Sequence, residues 1–181
     1  VKKKQPRCNV MDPSPALCRA FLWVKKTMKP GIMIAFDGTN GAGKSTVLHK
    51  LATHLKSMGL PVMMTREPGG TPIGEKVRGL LLDPESSAMT DMTEVLLFTA
   101  ARAQHVQQLI LPALEQGKIV LCDRFVASTI SFQHYGKGVD LKAIETITET
   151  ALQGFKPDAY FLFDLDVKEG ARRVAARNES L

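Results

Sequence analysis

Apolar residues along this chain fall into two alternating kinds of run. The first kind is short and dense: Gly31-Ile32-Met33-Ile34-Ala35-Phe36, Pro61-Val62-Met63-Met64-Thr65, Lys118-Ile119-Val120-Leu121-Cys122 and Ala159-Tyr160-Phe161-Leu162-Phe163. Runs of this length, partly β-branched or aromatic and bounded by Gly, Pro or charge, predict strands, the first of them buried. The second kind repeats at three- and four-residue spacing, the period of a helix face. Val47, Leu48, Leu51, Ala52 and Leu55 predict a helix over 46–55 that ends near Met58-Gly59, and residues 75–82 predict a short one. Val95, Leu96, Phe98, Thr99, Arg102, Val106, Leu109, Ile110 and Leu114 mark a long helix over 91–116, opened by Asp91 and Glu94 and closed by Gly117. Pro112 is expected to remove a hydrogen bond there and bend the last turns. Residues 125–133, 143–152 and 169–177 predict three more helices, with a loop at His134-Tyr135-Gly136-Lys137-Gly138. Strands alternating with helices predict a parallel sheet with right-handed crossovers, an α/β three-layer αβα sandwich. The pattern stops at Leu181 without helix stop signals, so a C-terminal truncation is expected.

Residues 1–30 show no period and carry Pro6, Pro13 and Pro15. Arg19 interrupts their only apolar stretch, which argues against a signal peptide. A transit segment fits their shortage of acids but not the scarcity of Arg and Ser. The reading favoured here makes Met28 the start, with a non-native or disordered basic head before one domain over 31–181. The formal charge of +6 also divides at that boundary. The head holds eight cationic residues against Asp12 alone, a surplus of seven, which leaves residues 31–181 at −1. A near-neutral body does not favour a nucleic-acid partner. No apolar run reaches membrane-span length. Cys8, Cys18 and Cys122 cannot all pair within the chain and show no metal-ligand spacing, which suits a reducing, cytoplasmic location.

Gly38-Thr39-Asn40-Gly41-Ala42-Gly43-Lys44-Ser45 follows the first strand, opens the first helix and fits G-x-x-x-x-G-K-[ST], the phosphate-binding P-loop. Glycines let the backbone curl round a phosphate with its N–H groups turned inward, and the helix N-terminus adds positive potential. Lys44 would bridge the β- and γ-phosphates and the Ser45 hydroxyl would take a place on Mg²⁺, which makes ATP and Mg²⁺ the expected cofactors.

Other chemistry gathers at strand ends, where open α/β sheets bind ligands. Arg66, in Arg66-Glu67-Pro68-Gly69-Gly70-Thr71, suits a second anion, or else a surface salt bridge. Asp123 and Arg124 end the third strand; a carboxylate there commonly helps to hold Mg²⁺. Phe98 and Arg102 share a helix face, which is core unless it turns toward the phosphate end. Arg172, Arg173 and Arg177 form either a solvated face or the start of a phosphate lid near residue 172. Cys122 reads as a small core residue, and His49, His54, His105 and His134 read as incidental.

Taken together, Phe36-Asp37-Gly38-x-x-Gly-x-Gly-Lys44-Ser45-Thr46, Thr65-Arg66-Glu67-Pro68-Gly69-Gly70-Thr71-Pro72, Leu97-Phe98-x-x-x-Arg102, Asp123-Arg124-Phe125 and Gln133 resemble the thymidylate kinases. The resemblance covers residues 31–181. It implies a P-loop nucleoside monophosphate kinase fold and transfer of the ATP γ-phosphoryl group to dTMP, giving dTDP. By position, residues Gly38 to Thr46 resemble the ATP loop, with Ser45 and Asp123 toward Mg²⁺. Arg66 and Arg124 resemble the arginines on the dTMP phosphate. Phe98 resembles the aromatic stacked on thymine, with Arg102 beside its carbonyl oxygen. Thr129 and Gln133 match base contacts, Phe132 matches the ring that crowds a ribose 2′-hydroxyl, and Asp37 stands where glutamate is commoner. Lys44, Arg66, Asp123, Arg124 and a lid arginine, Arg177 or Arg173, would form the catalytic set of the bacterial type. Asn40 replaces a frequent acid near the acceptor sugar, and His134 and Lys137 replace glycine and arginine. The family also implies a homodimer. A P-loop switch protein would instead carry a guanine-reading Asn/Thr-Lys-x-Asp segment, which this chain lacks.

Overall fold

The structure is a computed structural model that describes residues 31–178; the basic head lies outside the described residues. Four strands, β1 (Ile32–Gly38), β2 (Val62–Arg66), β3 (Ile119–Asp123) and β4 (Ala159–Phe163), form one sheet in the order β2-β3-β1-β4. Every pairing is parallel. Each of β1, β2 and β3 runs one or two residues past its last apolar position, into Gly38, Arg66 and Asp123. The ladder hydrogen bonds therefore hold the polar residues at the sheet's carboxyl edge. Register places Arg66 opposite Asp123 and Asp123 opposite Phe36. Neighbouring strands lie about 4.8 Å apart, so these strand ends form one row.

Side chains alternate across β1. Met33 and Ala35 join Val120, Cys122, Val106, Ile110, Ala113, Phe125 and Leu152 on one face. Phe36 joins Leu121, Leu48 and Ala52 on the other. A sheet buried on both faces needs helices on both, and the three-layer α/β sandwich follows. One layer is helix α1 (Lys44–Ser57). Helix α2 (Pro72–Leu82) begins at Thr71, whose hydroxyl accepts from the Gly74 N–H at 3.0 Å.

The long helix expected over 91–116 is three segments in line. These are α3 (Asp91–His105), a π turn (Val106–Ile110) and α4 (Leu111–Glu115). Pro112 has no N–H to give the carbonyl four residues back, and the wider turn absorbs that mismatch. The helix expected over 125–133 is likewise α5 (Val126–Thr129) followed by a π turn (Ile130–Tyr135). Helices α6 (Leu141–Leu152) and α7 (Val167–Asn178) complete the described chain. Helix α7 presses on the P-loop: a Cβ on Gly41 would lie 2.5 Å from the Gly170 carbonyl oxygen. No described helix is long and apolar enough to cross a membrane.

Candidate active site

The loop after β1 turns at Gly41 and Gly43, whose φ angles of 79° and 86° lie in the left-handed region that glycine enters without strain. Among the helices, α2, α3 and α6 receive side-chain caps from Thr71, Thr90 and Asp140, whereas α1 begins at Gly43 with none. Its first N–H groups are left without a side-chain partner at the loop, where an anion would satisfy them. Lys44 stands over that hollow, its Nζ donating to the carbonyls of Gly38 at 2.9 Å and Thr39 at 2.7 Å. Burial, and then the nearby Arg124 charge, hold this ammonium below the usual lysine range. The Ser45 hydroxyl donates to Asp123 Oδ2 at 2.6 Å, which joins the P-loop to the end of β3.

Arg124 is held from several sides. Its backbone is left-handed (φ 72°), an uncommon conformation for a residue with a side chain and one that clusters at functional sites. Its N–H donates to the Phe36 carbonyl at 2.9 Å. Nη1 donates to the Ser128 hydroxyl at 2.7 Å and Nη2 to Asn40 Oδ1 at 2.6 Å, while the guanidinium lies 5.3 Å from the Phe132 ring centroid. Asp37 supports the same segment from below, accepting from the Phe125 N–H at 3.1 Å and from the Ser128 hydroxyl. Burial raises its carboxyl pKa, and those two hydrogen bonds work against the rise.

Two cavities meet at Arg124. One, over the P-loop, is lined by Asn40, Gly41, Gly43, Lys44, Ser45, Thr46, Asp123, Arg124 and Arg173. The other shares Asn40, Asp123 and Arg124 with it and continues to Arg66, Arg78, Phe98, Arg102, Thr129, Phe132 and Gln133. Arg66 and Arg124 thus face one cavity, and Arg124 and Lys44 face the next. Arg66 also pairs with Glu75 at 3.1 Å, the salt bridge of its second reading, while lining the second cavity. The Gly70 N–H, and then Arg66, keep Glu75 below the usual carboxylate range. Gly38 and Thr39 sit with Asp37 along a third hollow beside α7. Arg173 pairs with Glu169 at 2.7 Å. Arg177 lies on α7, and its side chain is outside the described residues.

The second cavity, where Arg102 and Thr129 line it, adjoins a buried ion-pair cluster that periodicity did not reveal. Arg102, 2% exposed, donates Nε to Glu67 Oε2 at 2.6 Å and Nη2 to the Thr129 hydroxyl at 3.0 Å. Its Nη1 is buried with no partner. Glu67 Oε1 lies 3.1 Å from His105 Nδ1, and His105 Nε2 lies 2.6 Å from the Thr65 hydroxyl. His105, read as incidental in the sequence, is fully buried. The available signal was the acid beside Arg66 together with a histidine one turn after Arg102.

Comparisons with known proteins bear on the family and the fold. The family model for thymidylate kinase matches residues 36–181. The chain belongs to the thymidylate kinase family. A thymidylate kinase of Pelobacter propionicus is 46% identical over 150 residues, spanning 83% of this chain and 68% of the relative. The crystal structure of thymidylate kinase from Ehrlichia chaffeensis matches with a TM-score of 0.70 and 37% identity, covering 84% of this chain and 82% of that one. The parallel sheet with its P-loop is accordingly the nucleoside monophosphate kinase fold of the thymidylate kinase family.

Proposed function

We propose that the two joined cavities divide the family's reaction, ATP-dependent phosphorylation of dTMP to dTDP, into a donor bay over Lys44 and an acceptor bay between Phe98 and Gln133. The observation that carries this reading is Arg124, which lines both bays and so stands where the two phosphates would meet. ATP and dTMP together bring about six negative charges, given about −1.5 to −2 for a phosphate monoester near neutrality. Lys44, Arg66 and Arg124 offset that repulsion, and the α1 N-terminus adds to them.

A dTMP phosphate oxygen attacks the γ-phosphorus, and the bond to the bridging oxygen of ADP breaks. The attacking oxygen is already ionised, so the step needs no strong general base. Positioning and preorganised charge supply the rate. Arg66 and Arg124 grip the acceptor phosphate. Lys44 follows the charge on the transferring group, and Arg173 or Arg177 on α7 closes over it. Phe98 stacks on the base, Thr129 and Gln133 read its edge, and Phe132 bounds the sugar. Asp37 and Asn40 contribute by holding Phe125, Ser128 and Arg124 in place.

The Ser45 hydroxyl and the Asp123 carboxylate are oxygen donors within hydrogen-bond distance of each other beside the phosphate hollow, a donor set that suits Mg²⁺. The ion would neutralise phosphate charge there. A buried free thiol at Cys122 agrees with a cytoplasmic location. Exposed Ile73 and Leu80, on one face of α2, and exposed Met92 and Leu96 on α3 suit contact with a second copy of the chain, hence a homodimer.

Coupled ADP-release assays with ATP and Mg²⁺ test the acceptor. The expected result is dTMP used well ahead of dCMP, dAMP and dGMP. Equal rates on all four would remove the base assignment.

A further inference from the structure

Arg102 reaches the base cavity already committed on two of its three nitrogens. Nε is held by Glu67 and Nη2 by Thr129 and the Phe125 carbonyl, which leaves Nη1, sealed from solvent, without a partner, while Arg102 lines the cavity. A buried donor with no acceptor is costly, more so on a charged group, so a ligand oxygen placed there is favoured. The orientation of that donor depends on Glu67, which is itself fixed from behind. A carboxylate oxygen only accepts, so His105 Nδ1 donates to Glu67 Oε1, and in the neutral ring Nε2 accepts from the Thr65 hydroxyl. Gly70 closes the back of the chain: a Cβ there would lie 2.6 Å from His105 Nε2.

Resting on the acceptor reading above, we propose that Glu67, braced by His105 and Thr65, is a positioning residue for pyrimidine selectivity. It locks the Arg102 guanidinium so that Nη1 is the one nitrogen left to meet the base. A 4-oxo pyrimidine offers that nitrogen's N–H groups an acceptor. A 4-amino pyrimidine offers a second donor, which a locked arginine cannot turn away from. Glu67, His105 and Cys122 also place their ligand atoms within 4.8 Å of one another, which admits a metal site on spacing alone. However, both Glu67 oxygens are engaged with Arg102 and His105, and the Cys122 Sγ donates to the Arg124 carbonyl at 3.1 Å. Burial, first of all, pushes that thiol's pKa well up and keeps it protonated.

The test is Glu67→Gln in the full chain, with initial rates on dTMP and dCMP. The dTMP KM is expected to rise about tenfold to a hundredfold, the dTMP-over-dCMP preference to fall, and the ATP KM to stay put. In an Arg102→Met background the same change should add nothing further, because Glu67 acts only through Arg102. Unaltered dTMP KM and preference in folded Glu67→Gln would overturn the inference, and so would full additivity with Arg102→Met. A wild-type complex with dTMP gives a variant-free check: Arg102 Nη1 should meet the base carbonyl with Nε still on Glu67. Arg102 leaving Glu67 on binding would overturn the proposal, as would an equivalent of divalent metal found in the purified protein by elemental analysis. A wild-type enzyme inactive on dTMP would instead overturn the acceptor reading itself, which separates the two failures.

Discussion

An ammonium group held between two carbonyl oxygens and short of water, as Lys44 is, has an easily moved proton. Burial and Arg124 lower its pKa, so between that value and the usual lysine range the unfolded chain binds more protons than the folded one. Folding stability therefore rises with pH in that window. Phosphate binding does the opposite, because only the ammonium attracts ATP. ATP affinity measured by titration calorimetry is expected to weaken at a pH where ordinary lysines are still charged. A flat affinity through the alkaline range would mean that Lys44 does not touch the phosphates. At fixed neutral pH, Lys44→Ala should lower kcat by about 10²-fold or more, the scale of losing one preorganised donor on the transferring group. A decrease of only a few-fold would place the donor elsewhere. Lys44 and Ser45 were legible because one short motif fixes both their type and their context. Glu67 and His105 were not, because they are 38 residues apart and meet only where β2 and α3 pack.

Strand and helix order was legible throughout, since burial on both faces of a parallel sheet leaves dense apolar runs and the helices keep their own period. Ends were harder. Apolar content stops before the strand does, so Arg66 and Asp123 read only as the ends of apolar runs, whereas each is paired within a ladder. The π turns at Val106–Ile110 and Ile130–Tyr135 were hidden, because one extra residue per turn barely alters an apolar pattern. The second of them carries Phe132 and Gln133 toward the acceptor bay, a place where such turns often serve function. Between β2 and α2 the chain depends on Gly70. Its φ is 80°, and a Cβ would meet His105 Nε2 at 2.6 Å and Thr65 Oγ1 at 2.8 Å. Gly70→Ala should therefore cost about 1–3 kcal/mol from backbone strain and overpacking together. Urea unfolding read by circular dichroism measures that cost, and an unchanged midpoint would show that the turn can open without consequence.

At the scale of the molecule, what matters is that the strand ends form one row. Lys44 follows β1, Arg66 ends β2 and Arg124 follows β3, so the sheet order sets which cation faces which cavity. Of the two joined cavities, Lys44 lines only the one over the P-loop, the proposed donor bay, Arg66 only the other, the proposed acceptor bay, and Arg124 both. Ligands that bind only the folded state raise its stability by mass action, about 2.7 kcal/mol at a hundredfold excess over Kd. For a chain of this size that corresponds to a melting shift of about 5–10 °C. Lys44→Ala should lose most of the ATP-induced shift and keep the dTMP-induced one, and Arg66→Ala should do the reverse. Arg124→Ala should weaken both, although its left-handed backbone stays where it is. Each variant needs its own unliganded melting point, since Arg66→Ala also frees Glu75 from its ion pair. The decisive comparison is the pattern across three variants and two ligands. If Arg124→Ala erased one ligand's shift and spared the other's, the two bays would not share a wall, and a phosphoryl group could not pass between them by the route this sheet provides.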